Sequence, residues 1–357
     1  MELKLVILAL AFGTTSAGES IAQRFSGDRS KSSQLYGVLP ESKEHMELMV
    51  KAGLVHRVPK ISEAEADALP ESFDSEANWP QCAKVIGDIR DQSNCGCCWA
   101  FGAASAASDR ACIASNGTIS APFSAQDVCF NAQSAGCNGG MLYTPWNFIR
   151  STGVVTGGQY LEDTATPPSD PFDGEGFCAS FSLPHCHHHG DQGSDPYPAE
   201  GETGCPSVTI SPRGPTKCDS SSVIDSYGDD KYSFTGTVQT FTDDAKTIMA
   251  GIMADGPVEA AFTVYADFED YESGIYKRTS LQTLGGHAIR IVGWGTEDGT
   301  DYWKVANSWN PNWGEDGYFR IVRGDDECGI ESQVTASMAG AKWGKVSELA
   351  ADERVVA

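Results

Sequence analysis

The stretch from Gln92 to Phe101 narrows what this chain can fold into. It reads Gln92-Ser93-Asn94-Cys95-Gly96-Cys97-Cys98-Trp99-Ala100-Phe101 and runs on into Gly102-Ala103-Ala104-Ser105-Ala106-Ala107. Alanine is the best helix former, and small residues flanked by Trp and Phe predict a tightly packed, largely buried helix. The Cys95-Gly96 turn places the Cys98 thiol in the first turn of that helix. Exposed N–H groups and the positive end of the helix dipole favour a thiolate there. A thiolate is a nucleophile, so Cys98 is a candidate for chemistry.

At 357 residues the chain has room for one or two domains plus processed segments. Residues 1–17 read as a secretory signal, with Lys4, an apolar run from Leu5 to Phe12, and the small residues Thr15-Ser16-Ala17. That run is too short to span a bilayer, and no later stretch is long enough. Twelve cysteines agree with an oxidising compartment. The formal charge of −24 argues against nucleic acid and anionic lipid as partners. It is compatible with an acidic vacuole.

Residues 18–68 are polar, with a weak amphipathic run from Glu44 to Ala52, and read as a pro-segment; a disordered arm that stays attached is the alternative. The acidic run from Ile61 to Ala68 is not expected to pack. Composition changes at Leu69. The nucleophile helix should stop near Ser115-Asn116-Gly117, where Asn116-Gly117-Thr118 is also a glycosylation sequon. Ser124 is placed to cap a further helix. Residues 164–234 form a long Pro-, Gly-, Ser- and Asp-rich stretch pinned by Cys178, Cys186, Cys205 and Cys218. Asp243-Asp244 should cap a helix through Ala254, and strands follow at Val258–Val264, His287–Gly293, Tyr302–Val305 and Tyr318–Val322. Helices first and strands second predict an α+β fold in two lobes. The tail after Gly340 reads as solvated or trimmed.

A cysteine nucleophile needs a base, a group that orients the base, and donors for an oxyanion. His287 lies in Gly285-Gly286-His287-Ala288-Ile289-Arg290, where two glycines precede a buried-looking strand. Asn307, in Ala306-Asn307-Ser308-Trp309, can hold one imidazole nitrogen and leave the other for the thiol. The indoles of Trp309 and Trp313 could shield that bond from water. Gln92 can offer an amide N–H beside the backbone N–H of Cys98.

Together these motifs resemble the papain-like cysteine peptidases, and within them the cathepsin B group. The local pattern C-G-[SA]-C-[WY] is matched except that Cys97 stands in the small-residue position. The resemblance runs from Leu69 to about Gly340. It implies a helical left lobe, a β-barrel-like right lobe and a cleft between them. By resemblance Cys98 is the nucleophile, His287 the base and acid, Asn307 the orienting residue and Gln92 the oxyanion donor. Gly139, Gly140, Gly286 and Trp309 would line the cleft.

His287 lies 189 positions after Cys98, against about 130–150 from the cysteine to its partners in papain-like enzymes. The surplus, about 178–218, matches the occluding loop of cathepsin B, which covers the primed end of the cleft and releases C-terminal dipeptides. His188 and His189 would receive the substrate's carboxylate, and Asp91 would latch the loop, with closure dependent on pH. The segment 187–204 contains no arginine, and Asn312 stands where the partner acid of a second ionic latch would be. A floppier loop and more endopeptidase character are therefore expected. Gln333 replaces a glutamate at the base of the main specificity pocket, which favours apolar side chains over arginine. The pro-segment shows none of the family's usual aromatic anchors.

The resemblance also implies the pairs Cys82–Cys112, Cys95–Cys137, Cys186–Cys205 and Cys129–Cys218, with Cys178 an alternative partner for Cys218. Cys97 is then a small apolar residue or half of a strained vicinal disulfide with Cys98. A cysteine peptidase made as a zymogen is the leading reading, acting on proteins and peptides, open to cystatin-type inhibitors, monomeric and without a cofactor. It would reside in a lysosome or acidic vacuole, or be secreted. Two alternatives are a metal-binding module built on His185-Cys186-His187-His188-His189 and a catalytically silent papain-fold binding protein.

Overall fold

The structure, a computed structural model, describes residues 36–356 apart from Gln133, 161–171, 173–175, 208–209 and Thr242. The expected signal peptide and residues 18–35 of the expected pro-segment lie outside the described residues.

The nucleophile helix spans Cys98–Ala114, and every residue from Cys98 to Cys112 is buried. Its small side chains let other elements approach closely. A Cβ added at Gly102 would lie 3.2 Å from the Glu259 side chain and 3.3 Å from the Ile289 carbonyl. The buried charges on the helix are matched. Arg290 donates to both oxygens of Asp109 at 2.8 and 2.7 Å, and Arg110 donates to the carbonyls of Gly256 and Pro257. Removing one partner of such a pair would strand the other in the core, which typically costs about 3–5 kcal/mol. Around this helix pack the shorter helices Ala125–Asn131, capped by the Ser124 hydroxyl, and Tyr143–Ser151.

The strands are β1 (Val55–Arg57), β2 (Phe73–Asp74), β3 (Tyr232–Phe234), β4 (Val238–Thr240), β5 (Val258–Tyr265), β6 (Ile275–Tyr276), β7 (Thr283–Glu297), β8 (Thr300–Ala306), β9 (Tyr318–Val322), β10 (Val334–Ser337) and β11 (Trp343–Lys345). Nine of them form one sheet in the order β1-β4-β10-β5-β7-β8-β9-β6, with β2 on the far part of β7. Among the described residues this sheet does not close into a barrel, while the expected combination of packed helices with one large sheet is present. Its ends are the short strands β1 and β6, each paired in parallel with a single neighbour, so the edges do not meet. The helix Ala245–Asp255, capped by the Asp244 carboxylate, lies against β7.

The tail, expected to be solvated or trimmed, is integrated, and so is part of the expected pro-segment. In the tail, β11 pairs antiparallel with β3, and Trp343 packs on Phe234 and Phe123. An amphipathic helix, Lys43–Lys51, and β1 both lie in the expected pro-segment, and β1 extends the main sheet. The acidic run forms a short helix, Glu63–Asp67, that buries no side chain.

Candidate active site

Cys98 is the first residue of the nucleophile helix, and Cys97 caps it. The backbone before it is tightly turned, with Ser93 at φ 55° and the Cys97 N–H donating to the Cys95 carbonyl. The Ala288 backbone N–H bears on the Cys98 sulfur, so the thiol sits against β7 beside His287. His287 Nε2 is 2.8 Å from Asn307 Oδ1. The Trp309 ring lies 4.9 Å from the imidazole and the Trp313 ring 4.9 Å from Trp309, so the bond is walled by indoles. Among the described residues, the buried Nδ1 of His287 has no hydrogen-bond partner. Gln92 is tied in from three sides. Its N–H donates to the Ser308 carbonyl, its amide nitrogen donates to the Cys95 carbonyl at 2.9 Å, and its amide oxygen accepts from the Ser308 hydroxyl at 2.7 Å.

Across this centre runs the segment Tyr36-Gly37-Val38-Leu39. The Val38 N–H donates to the Gly286 carbonyl, the Gly140 N–H to the Gly37 carbonyl and the Leu39 N–H to the Gly140 carbonyl, at 2.8–2.9 Å. The Gly37 N–H bears on the Cys98 sulfur. Gly37 must lack a side chain, because a Cβ there would collide with the Gly96 backbone. The Tyr36 ring lies edge-on to His287 and Trp309 and flat on His189. The expected pro-segment thus carries an aromatic anchor after all. Sequence reading missed it because one Tyr-Gly pair in a polar stretch has no periodicity; the aromatic before a glycine was the only signal.

Covered in this way, the centre is electrostatically quiet. Burial lifts the Cys98 thiol to about 11, although the N–H groups of Ala288, Gly37 and Trp99 favour its thiolate. Burial also pushes His287 down to about 4, against the Asn307 bond, which favours the protonated ring. The thiolate expected at a helix N-terminus is outweighed here by desolvation.

The insertion approaches from the other side. His188 Nε2 is 2.7 Å from Asp91 Oδ1, with both side chains buried, and its ring stacks on Trp309. His189 Nδ1 is 3.3 Å from Glu269 Oε1, and the Tyr36 hydroxyl donates to the same oxygen at 2.6 Å. His187 pairs with Asp195, and His185 stacks on Tyr197. The histidines therefore take separate partners, and Cys186 is bonded to Cys205, so the cluster does not converge as a metal site would. Asn310 donates to the Cys186 carbonyl at 2.8 Å, which ties down a loop expected to be loose. Gln333 stands exposed just before β10, its carbonyl accepting from the Ala261 N–H.

Disulfides join Cys82–Cys112, Cys95–Cys137, Cys97–Cys129, Cys178–Cys218 and Cys186–Cys205. This corrects two expectations. Cys129 pairs with Cys97 and not with Cys218, because the helix Ala125–Asn131 packs beside the start of the nucleophile helix and brings the Cα atoms to 6.1 Å. Cys218 pairs with Cys178, the alternative left open from the sequence, at a Cα distance of 4.3 Å. Cys97 is thus neither an unpaired small residue nor bonded to Cys98, and Cys98 is free and buried. Asn116 is exposed, at φ 50°.

The family model for papain family cysteine proteases matches residues 69–338. The chain belongs to that family. A cathepsin B-like cysteine proteinase 4 of Caenorhabditis elegans is 45% identical over 275 residues, covering 76% of each chain. Cathepsin B-like cysteine proteinase 6 of the same organism is 42% identical over 297 residues, 82% of this chain and 72% of that one. Among solved structures, the proCathepsin B S9 from Trypanosoma congolense superposes with a TM-score of 0.64 at 28% identity, covering 87% of this chain and 88% of that one. The chain is a cathepsin B-like cysteine peptidase in zymogen form. Five disulfides fit an oxidising compartment. Among the described residues no helix is long and apolar enough to cross a membrane.

Proposed function

We propose that, once residues 36–39 leave the cleft, the enzyme hydrolyses peptide bonds in proteins through a Cys98 thioester. His287 takes the thiol proton through Nδ1 and returns it to the leaving amine. Asn307 fixes the ring through Nε2. The backbone N–H of Cys98 and the Gln92 side-chain amide receive the oxyanion, and Gly140 and Gly286 hold the substrate backbone as they hold residues 37–39, with Gly139 lining the cleft beside them. The observation that carries this reading is the buried Nδ1 of His287, left without a hydrogen-bond partner while Nε2 is bound to Asn307.

His188 and His189 would add C-terminal dipeptide release to the endopeptidase activity, with Asp91 holding the loop in place. The exposed Gln333 would leave the main specificity pocket without a carboxylate. A lysosome-like or secreted location, a glycan on Asn116, inhibition by cystatin-type proteins and a monomeric state belong to the same reading.

The test is labelling of the acid-processed protein with a vinyl-sulfone electrophile, followed by peptide mapping. Label should fall on Cys98 without added reductant, since Cys97 is bonded to Cys129. Cys98→Ala should lose both label and peptide cleavage. An intact processed protein that takes no label at Cys98 would return the chain to a binding role.

A further inference from the structure

Glu269 follows the short turn Ala266–Phe268 and stands half-buried at the edge of the cleft, where no other carboxylate faces the Tyr36 ring among the contacts described. Its Oε1 receives the Tyr36 hydroxyl at 2.6 Å and lies 3.3 Å from His189 Nδ1. Its backbone carbonyl lies close to Gly190, so the insertion packs against it. Trp309 and His189 form the side walls, their rings 4.8 Å apart. Tyr36 is thus a ligand already seated in a subsite. The subsite has an aromatic wall, an imidazole and a carboxylate at its far end.

Which substrate residue would enter there follows from the chemistry proposed above, on which this inference rests. The leaving amine must be protonated by His287, so the residue after the scissile bond lies on the His287 side of Cys98. Tyr36 occupies that side, edge-on to His287 at 6.3 Å. Gly37 and Leu39 occupy the other, paired with Gly140. When Tyr36 departs, Glu269 loses its hydroxyl donor. Near neutral pH His189, 3.3 Å away, does not replace that donor with a charge, because even an uncovered imidazole gives up its proton near 6.5. The carboxylate is left needing a donor, and an aromatic wall also favours a cation.

We infer that Glu269 is a specificity-determining residue that selects lysine or arginine immediately after the cleaved bond, with tyrosine as the best uncharged side chain. Specificity of this kind acts in both directions: an apolar side chain in the same place would leave the carboxylate buried and unpaired. The carboxylate also stands where a substrate's own C-terminal carboxylate would approach His189, so it opposes dipeptide release and favours cuts inside chains.

The experiment uses the acid-processed enzyme near neutral pH. The substrates are peptides identical except for Lys, Arg, Tyr or Leu after the scissile bond. Each kcat/KM is expressed relative to the Leu peptide in the same preparation, so loss of folded protein cancels. Lys and Arg should exceed Leu by about tenfold, the size of one charge-assisted hydrogen bond. Glu269→Gln should bring the cations towards parity with Leu while keeping the Tyr preference, and Glu269→Leu should favour Leu over both. A wild-type enzyme without the cation preference, or a preference that survives in Glu269→Gln, would overturn the inference. Absence of any cleavage, together with absence of label on Cys98, would overturn the proteolytic reading and this inference with it.

Discussion

His287 is held by one bond and released by another's absence. The 2.8 Å contact from Nε2 to Asn307 fixes the ring plane, and the free Nδ1 is the end that can work. Because the Asn307 bond favours the protonated ring, its loss should lower the imidazole's proton affinity as well as its order. Asn307→Ala should therefore cut kcat by roughly a hundredfold, the low end of the usual acid–base contribution, with a smaller change in KM. It should also move the acidic limb of the kcat/KM profile to lower pH. Steady-state assays across pH check both, and an unchanged limb would reduce Asn307 to packing. At this scale three of the four proposed catalytic positions were legible because each sits among diagnostic neighbours: Cys98 before Trp99, His287 after two glycines, Asn307 before Ser308-Trp309. Glu269 and Tyr36 were not. Their meaning comes from meeting across 233 positions of chain, which local sequence does not record.

The element that covers the centre is four residues long. Gly37 passes so close to Gly96 that only a hydrogen fits, and the flanking amides pair with Gly140 and Gly286. Gly37→Val should push this segment off the cleft and raise the reactivity of the unprocessed protein towards a thiol-directed electrophile. Equal labelling rates for the variant and the parent zymogen would show that the cover is held elsewhere. A second hold does exist in β1, which adds a parallel strand to β4, so release should be local and not complete. Elements with strong periodicity were readable from sequence. Strand β9 was placed at both ends, and β5 within a residue. Strand β7 was read too short, since its outer residues, Leu284 and Trp294 apart, are glycine or polar and gain their pairing from β2, β5 and β8. The Cys97–Cys129 pairing was equally out of reach, and Cys178–Cys218 stood only as an alternative. They depend on which helix or loop arrives next to which, and the spacing of cysteines leaves that open.

On the scale of the whole molecule, the closed zymogen is a proton-poor state, and this gives acid a direction. His287, at about 4, and His189, at about 3, both lie below the ordinary histidine value of 6.5. Once uncovered, each ring would take up a proton near 6.5. Between about 6.5 and about 4 the opened state therefore binds more protons than the closed one, so stability of the closed state falls as pH falls. Asp91 adds nothing in this window: burial raises its carboxyl, but His188 and hydrogen bonds outweigh that and lower it below the ordinary 3.8, so the latch weakens only in stronger acid. Glu269 works in the opposite direction, because burial raises its carboxyl and the closed state then holds a proton there more readily. Two histidines against one glutamate leave acid as the opening signal. The Cys98→Ala zymogen, which cannot cut itself, isolates this effect from proteolysis. Its melting temperature should drop as pH falls from about 6.5 to about 4. Adding His189→Leu should make that drop shallower, since one of the two buried rings no longer titrates. A melting temperature that stays level through this window, or a slope indifferent to His189, would mean that the cover responds to cleavage alone and not to protons.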